Sequence, residues 1–307
     1  MTTTLQEPEE SQGKSLVGEH LGEWLLTRVL GDGGMSVVYA GRHLFQEDEV
    51  AIKLLHPDLY DSQESLVRFH REIQVLQSLN HPGVVQILES GDSEDHGPFI
   101  ILEMLQGEDL GQKILRDAPL PLSWLLSITE HLCEALQVVH DNGVIHRDLK
   151  PSNVFLVPNQ PTPTPKMIDF GVAHMRINST SRLTQTGMVI GSPAYLAPEQ
   201  LLSGKSITAS VDIYSLGVLW FEALTGKLPM QGGKRIEELL ANMKEDPLPL
   251  GVYRPEFADS SLKELLQRCL AKKPENRPSS ASLLWEELEI ACQFLEDPLD
   301  EIERPSP

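Results

Sequence analysis

The sequence predicts an α+β fold in two parts, a small sheet-rich part with one main helix followed by a larger, mostly helical part. The chain has 307 residues, 40% of them apolar, which is enough for a packed core in two domains or in one domain with two lobes. Short apolar runs rich in β-branched residues fill the first hundred residues, whereas helical spacing of apolar residues dominates after Gly107.

In the first part, strands are predicted around turn-forming clusters. The segment at residues 1–20 is polar, acidic and aperiodic, and is predicted to be a mobile tail. Apolar residues recur at helical spacing from Leu66 to Leu79, and Asn80-His81-Pro82 ends that helix. The predicted strands cover residues 21–30, 37–44, 50–55, 84–88 and 99–102.

In the second part, helices alternate with Pro and Gly breakers. Two short strand-like runs, 154–157 and 166–168, flank the sequence PNQPTPTP, which we interpret as a long hairpin connection. Residues 295–307 are acidic and predicted to form a poorly ordered tail. The predicted helices cover residues 122–140, 211–224, 235–243, 261–270 and 279–294.

The charge of the chain argues against nucleic-acid and membrane partners. It carries 45 acidic and 25 basic residues, a formal net charge of -20, so the average surface repels phosphate backbones and anionic lipids. No run reaches the about 18 uncharged apolar residues of a membrane helix, and the N-terminus lacks a signal-peptide pattern. The three cysteines, an odd number without a CxxC motif, are predicted to be buried, reduced thiols of a cytoplasmic protein.

A glycine-rich turn lies between the first two predicted strands. It contains Gly31, Gly33 and Gly34, and Ser36 follows where a further glycine would be expected. A dinucleotide-binding or Walker loop would need a helix to begin there. A glycine-rich strand turn can instead fold over a polyphosphate, because backbone N–H groups approach its oxygens where Cβ atoms are absent. The alternative is an ordinary hairpin turn.

Lys53 lies inside the apolar strand sequence VAIK. A lysine is rarely buried without a partner, and Glu72 on the following helix is a candidate. The alternative is a lysine at a sheet edge and a solvated glutamate.

Three oxygen-bearing side chains follow short strands or loops in the second part. Asp148 and Asn153 occur in the sequence HRDLKPSN, and Asp169 begins the sequence DFG sixteen residues later. Such hard oxygen ligands suit Mg²⁺, which completes its shell with waters and substrate phosphates. A carboxylate outside that shell can accept a proton from a hydroxyl group.

These motifs, taken in order, resemble the signature of the protein kinase superfamily. The glycine-rich turn, VAIK, a helix glutamate, HRDLKPSN, DFG and the APE sequence at 197–199 span about residues 23–290. Lys150 and the sequence GSPAYLAPE are typical of the Ser/Thr branch, and the set is similar to bacterial Ser/Thr kinases. The resemblance implies a bilobal protein kinase fold, with an N-lobe at 21–105 and a C-lobe at 106–294 between the two tails.

The resemblance also implies ATP as cosubstrate, Mg²⁺ (or Mn²⁺) as metal ion, and a role for each matching residue. Asp148 would accept the proton of the substrate hydroxyl, and Lys150 would neutralise charge on the transferred group. Lys53, held by Glu72, would contact the α- and β-phosphates, while Asn153 and Asp169 hold the metal. The implied ATP-binding residues are Leu30, Gly31, Gly33, Gly34, Ser36, Val38, Ala51, Lys53, Leu102 as gatekeeper, Glu103, Leu105, Asp109 for the ribose and Phe155. The implied structural supports are Arg147, Glu199, Asp212 and Arg277.

The segment from Phe170 to Leu196 contains no acidic residue although the chain is strongly acidic. Thr184 and Thr186 lie within it, at positions that resemble the autophosphorylated threonines of bacterial kinases. We expect phosphorylation there to order the segment, with Arg147 as the partner of the phosphate and a transient homodimer acting in trans.

The expected activity is transfer of the ATP γ-phosphoryl group to Ser and Thr hydroxyls of protein substrates. Two alternatives are a small-molecule kinase of the aminoglycoside type and a pseudokinase that serves as a scaffold. The long segment ending in APE argues against the first alternative. The second is disfavoured because the residues expected for catalysis and metal binding are all intact, namely Lys53, Glu72, Asp148, Asn153 and Asp169. The sequence identifies neither the protein substrate nor the upstream signal.

Overall fold

The computed structural model describes residues 15–33, 36–56, 63–170, 193–201, 207–230 and 245–301. Within these residues the strands of the N-lobe are His20–Leu21 (β1), Trp24–Gly33 (β2), Ser36–His43 (β3), Glu49–Leu55 (β4), Ile87–Ser93 (β5) and Gly97–Glu103 (β6). They form one antiparallel sheet in the order β1-β2-β3-β4-β6-β5.

One long helix, α1 (Gln63–Ser78), packs beside β5 in the N-lobe. Its side chains Ile73 and Leu76 are almost fully buried, which is the stripe that the helical spacing predicts. A separate apolar cluster is formed by side chains of the sheet strands themselves, including Leu26, Ile52 and Ile101. The predicted sheet with one main helix is therefore present in the described residues.

The N-lobe begins earlier than residue 21, which corrects the predicted boundary of the N-terminal tail. The Gly18 amide donates to the Leu26 carbonyl at 2.8 Å, and the Leu26 amide donates to the Glu19 carbonyl at 3.0 Å. These bonds connect residues 18 and 19 to β2 just before β1 begins at His20, and so the ordered N-lobe starts before residue 21.

The C-lobe is built on helices, together with a small sheet of β7 (Glu108–Asp109), β8 (Val154–Val157) and β9 (Thr164–Met167). β8 and β9 pair across residues 158–163, which confirms the predicted hairpin. The described helices are α2 (Leu110–Asp117), α3 (Leu122–Asp141), α4 (Pro198–Leu201), α5 (Ser210–Thr225), α6 (Ser261–Cys269) and α7 (Ala281–Cys292). The predicted helix at 235–243 lies outside the described residues.

Helix α5 is the centre of the C-lobe. Nearly all of its side chains are buried, including Trp220 and Phe221, because a helix that is apolar on all sides packs on all sides. The Trp220 indole donates to the Thr129 hydroxyl of α3 at 2.9 Å, which satisfies the polar atoms of both buried side chains. The cysteines Cys133, Cys269 and Cys292 are buried and reduced.

The start of the predicted acidic C-terminal tail is ordered, which is a second correction. Asp297 is only 4% exposed and binds the buried Arg254 guanidinium at 2.6 Å. Its other oxygen accepts the Leu122 amide at 2.8 Å, at the start of α3, where Pro121 offers no side-chain cap. Asp300 accepts the next amide, that of Ser123. Two carboxylates thus bind the positive end of the helix.

We expect Asp297→Ala to lower the free energy of unfolding by about 3 kcal/mol, because it leaves the Arg254 charge and the Leu122 amide buried without this partner. Urea denaturation followed by circular dichroism measures the change. Glu296→Ala removes a neighbouring exposed acid and should change it by less than about 0.5 kcal/mol. Equal effects of the two substitutions would contradict this role of Asp297.

Candidate active site

The glycine-rich segment connects β2 to β3, which are neighbours in the N-lobe sheet. Gly33 pairs with Ser36 and Gly31 with Val38, and the pairing shifts register between Val29 and Gly31. Leu30 is 43% exposed. The two predicted strands that flank the turn are therefore present, whereas Gly34 and Met35 between them lie outside the described part of the chain.

One face of the N-lobe sheet carries the residues expected around the nucleotide. Lys53 on β4 lies opposite Val38 on β3, and Ala51 lies opposite Leu102 on β6. Directly opposed residues, and residues two apart on a strand, share a face. Val38, Ala51, Lys53 and Leu102 therefore project to the same side.

Lys53 forms an ion pair with Asp169, between Nζ and Oδ1 at 2.8 Å, and its side chain is only 12% exposed. The positive charge of Lys53 holds the pKa of the Asp169 carboxyl below its usual range, while burial opposes that shift. The Asp169 carboxylate is therefore ionised at neutral pH. Glu72 lies in α1, and its side chain is outside the described residues, so the expected contact of Glu72 with Lys53 stays a prediction.

A tight loop between α3 and β8 presents Asp148. The Lys150 ammonium donates to Asp148 Oδ2 at 2.7 Å, and the Asn153 amide donates to the same oxygen at 3.0 Å and to the Asp148 carbonyl at 2.8 Å. The Ile168 amide donates to the Asn153 carbonyl, which brings Asp169 beside this loop. These contacts gather the predicted catalytic and metal-binding residues in one place.

Asp212 fixes the main chain of the loop just before Asp148. Its carboxylate is fully buried and accepts the amides of His146 and Arg147 at 2.9 and 2.8 Å and the His140 ring at 2.7 Å. Arg147 has a φ of 65°, a left-handed conformation that costs energy for a residue with a side chain. The hydrogen bonds to Asp212 offset that cost and fix the direction in which the chain enters Asp148.

His146 connects the same loop to the chain before Asp169. Burial lowers the pKa of its ring, which is therefore neutral, and Nε2 must donate to the Ile168 carbonyl at 3.1 Å because a carbonyl only accepts. The ring also packs on Phe170, with centroids 4.7 Å apart. Motif reading did not assign this role to His146, nor did it identify the bond between His140 and Asp212.

Comparison with known proteins agrees with this geometry. The family model described as protein kinase domain matches residues 24–288. The chain belongs to the protein kinase family. This family uses ATP and a divalent metal ion.

The relatives of the chain include bacterial serine/threonine-protein kinases. The chain is 36% identical to the serine/threonine-protein kinase Pkn1 of Myxococcus xanthus over 277 residues. This matched region covers 90% of the chain and 39% of Pkn1. The chain is 38% identical over 257 residues to PknB of Mycobacterium leprae, covering 83% of this chain and 40% of PknB. The crystal structure of the Mycobacterium tuberculosis PknI kinase domain superposes with a TM-score of 0.70 at 25% identity, covering 90% of this chain and 98% of that one. The chain therefore spans well under two thirds of these two curated relatives.

The APE sequence of this kinase domain is tied to the C-lobe by a buried ion pair. The Arg277 guanidinium donates to both carboxylate oxygens of Glu199, at 2.7 and 2.9 Å, and lies over the Tyr214 ring. Gln200 next to it donates to the Arg147 carbonyl at 2.8 Å. The segment after APE is thus fastened to both the C-lobe core and the catalytic loop.

A polar cleft beside the catalytic loop was not predicted. Its volume is about 410 Å³, and Lys150, Tyr195 and Glu222 contribute to its lining. The Tyr195 hydroxyl donates to the Glu222 carboxylate, and burial is the main cause that raises the pKa of both groups. The pair joins residues 27 positions apart, and so no local pattern could have indicated it.

The remaining predicted residues are those expected at the nucleotide and at the phosphorylation sites. Asp109, expected at the ribose, uses Oδ1 to accept the Gln112 amide at 3.0 Å and so caps helix α2. Phe155 on β8 and Leu105 after β6 are partly buried. Thr184 and Thr186 lie outside the described residues.

Two features of the described residues concern metal binding and membranes. These residues contain no group of three or more His, Cys, Asp or Glu side chains that could hold a metal ion. Mg²⁺ binds through only one or two carboxylates together with substrate phosphates, which fits the pair of Asn153 and Asp169. None of the helices in the described ranges has both the length and the apolar character that crossing a bilayer requires.

We expect Asp212→Asn to loosen the catalytic loop, because an amide can accept from fewer of the three donors that bind the carboxylate. Hydrogen exchange at the His146 and Arg147 amides should quicken at least about tenfold, as the loss of one buried hydrogen bond implies. Asp246→Asn, which breaks an exposed pair with Lys272, should leave these amides unchanged. Unchanged exchange in Asp212→Asn would show that other contacts hold the loop.

Proposed function

We propose that the chain is a serine/threonine protein kinase that transfers the γ-phosphoryl group of ATP to Ser and Thr hydroxyls of protein substrates. The observation that carries this proposal is the contact of Asp148 with Lys150 and Asn153, directly beside the ion pair of Lys53 and Asp169. Phosphoryl transfer passes through a loose transition state that needs positioning and charge stabilisation more than covalent help. This cluster offers both.

Asp148 receives the substrate hydroxyl in this proposal. Two donors from Lys150 and Asn153 orient its carboxylate, and the carboxylate accepts the hydroxyl proton as the phosphoryl group is transferred. Lys150 is close enough to the same point to neutralise negative charge on that group.

The nucleotide lies between the lobes. Val38 and Ala51 of the sheet face would cover the adenine from above and Phe155 of β8 from below, with Leu102 as gatekeeper. The Glu103 carbonyl and the Leu105 amide would bind its edge. Leu30, Gly31, Gly33, Gly34 and Ser36 would cover the phosphates, and Asp109 would bind the ribose with the carboxylate that also caps α2.

Asn153 and Asp169 would hold Mg²⁺, with Mn²⁺ as a substitute. The Asn153 amide nitrogen donates to Asp148, which leaves the amide oxygen as its metal-binding atom. The Asp169 carboxylate is ionised because Lys53 lowers its pKa. When bound, the metal neutralises charge on the phosphates.

The two alternatives have weaker support. A small-molecule kinase has no use for a long segment anchored by the buried pair of Glu199 and Arg277. A pseudokinase scaffold would not need the ion pair of Lys53 with Asp169 beside the hydrogen-bonded pair of Asp148 and Asn153. Phosphate transfer to a generic acceptor protein, compared with transfer to an aminoglycoside, separates all three functions.

The compartment and the assembly are also proposals. ATP as cosubstrate and three buried, reduced cysteines support a cytoplasmic location. Autophosphorylation in trans at Thr184 or Thr186 would need a transient homodimer.

We expect Asp148→Asn to lower the turnover number by about 10²- to 10⁴-fold, the contribution of a general base, while the dissociation constant for ATP changes less than about threefold. A radiolabelled-ATP assay and calorimetry measure the two quantities. Asp141→Asn, at the end of α3, is the matched control and should behave as the unmodified chain. Normal phosphotransfer by Asp148→Asn would refute the assignment.

We expect the double substitution Thr184→Ala and Thr186→Ala to lower activity about tenfold, because the phosphate charge of about -1.5 to -2 is then missing from the segment. Mass spectrometry of the active chain should find phosphate on at least one of the two threonines. Thr180→Ala in the same segment serves as the control. Absence of phosphate from both sites, together with full activity of the double variant, would rule out this regulation.

A further inference from the structure

Glu103 is the last residue of β6, where the main chain leaves the N-lobe sheet for the C-lobe. Its side chain is hydrogen-bonded at this connection between the lobes. Oε1 accepts the Gln86 amide at 2.8 Å and the Lys166 ammonium at 2.5 Å, and the Glu103 amide donates to the Gln86 carbonyl at 3.0 Å. Three hydrogen bonds therefore define the orientation of this residue.

Lys166 belongs to the other lobe. It lies on β9 directly opposite Phe155 of β8, the residue proposed as the floor of the adenine site. The Lys166 and Glu103 side chains are 16% and 29% exposed, and so solvent screens this pair less than it screens a fully exposed one. The contact joins the nucleotide-edge segment to the strand pair that carries the floor.

The third member, Gln86, directly follows a segment whose backbone is bound to β9. The Met167 amide donates to the Gly83 carbonyl at 2.8 Å, and the Val85 amide donates to the Met167 carbonyl at 3.0 Å. The chain from 83 to 86 is thus bound to β9 by its backbone and to Glu103 by the bonds above. The Lys166–Glu103 contact closes a ring between β9, this segment and the end of β6.

We propose that Lys166 is a positioning residue for the nucleotide, which acts by holding the Glu103 carboxylate. The proposal rests on the proposed ATP site, in which the Glu103 carbonyl and the Leu105 amide bind the adenine edge. Adenine fits only if this segment stays at one distance from Phe155. The ring keeps that distance, and without the Lys166 charge the Glu103 carboxylate keeps only the Gln86 amide of these two donors.

The test uses the full chain with Lys166→Met, which retains length and loses charge, and Lys166→Arg, which retains charge. We expect Lys166→Met to raise both the KM for ATP and the calorimetric Kd for ADP about tenfold, while kcat at saturating ATP stays within about twofold. Lys166→Arg should stay within about threefold of the unmodified chain in both constants. Lys113→Met, which removes a lysine of similar exposure from the Lys113–Asp117 pair on α2, should change neither constant.

A charge exchange adds a second readout. Glu103→Lys alone should weaken ADP binding, and combining it with Lys166→Glu should recover at least about half of the loss on a logarithmic scale, since opposite charges again face each other. The inference is overturned if Lys166→Met lowers only the melting temperature, or lowers kcat, without changing KM or Kd. If the unmodified chain binds no ADP, the proposed function fails instead of the inference alone.

Discussion

The buried carboxylate of Asp212 is the interaction on which the active site depends. A single side chain at the start of α5 binds two successive main-chain amides of the catalytic loop and the ring of His140. Burying a carboxylate is costly unless several donors surround it, and here those donors are the groups that must be held still. The charge is stabilised by the loop, and the left-handed turn at Arg147 is stabilised by the charge. Each therefore depends on the other.

The same arrangement recurs through the C-lobe. Glu199 with Arg277 and Asp297 with Arg254 are buried pairs whose members lie 78 and 43 residues apart. Such pairs add little net stability compared with apolar packing, but a buried charge left unpaired is strongly destabilising. They therefore select one arrangement of distant segments around α5, whose apolar surface alone would tolerate others.

The two lobes are joined differently. Lys53 and Asp169 meet across the cleft through an ion pair, and the Gly83–Gln86 segment meets β9 through backbone bonds. The first contact involves groups that a nucleotide and a metal ion would also bind, whereas the second lies away from the phosphates. The space between the lobes can therefore rearrange around a ligand near Lys53 and Asp169, while the contacts between the Gly83–Gln86 segment and β9 keep their geometry.

Prediction from sequence succeeded where chemistry requires particular residue types at short spacing. Asp148, Lys150 and Asn153 lie within six residues of one another, and the structure brings them together as the motif implies. The bonds of His140 to Asp212, Tyr195 to Glu222 and Lys166 to Glu103 span 72, 27 and 63 residues, and no local pattern encodes such pairs. The N-cap role of Asp109 is different, because an acid before a helix is a recognisable signal. The start of the C-terminal tail was mispredicted because its acidic composition indicates disorder, whereas Asp297 within it has a buried partner in Arg254.

The cap on helix α3 has a consequence for the synthesis of the chain. The amide of Leu122 is bound by Asp297, which is translated 175 residues later. At about 5–20 residues per second, the ribosome needs roughly ten to thirty seconds to add that stretch. The N-lobe strands are translated before this interval and the whole of α3 early within it, yet the first turn of α3 lacks its carboxylate until Asp297 has been made. The N-lobe can therefore fold while translation continues, but the C-lobe reaches its final form only after Asp297 has emerged.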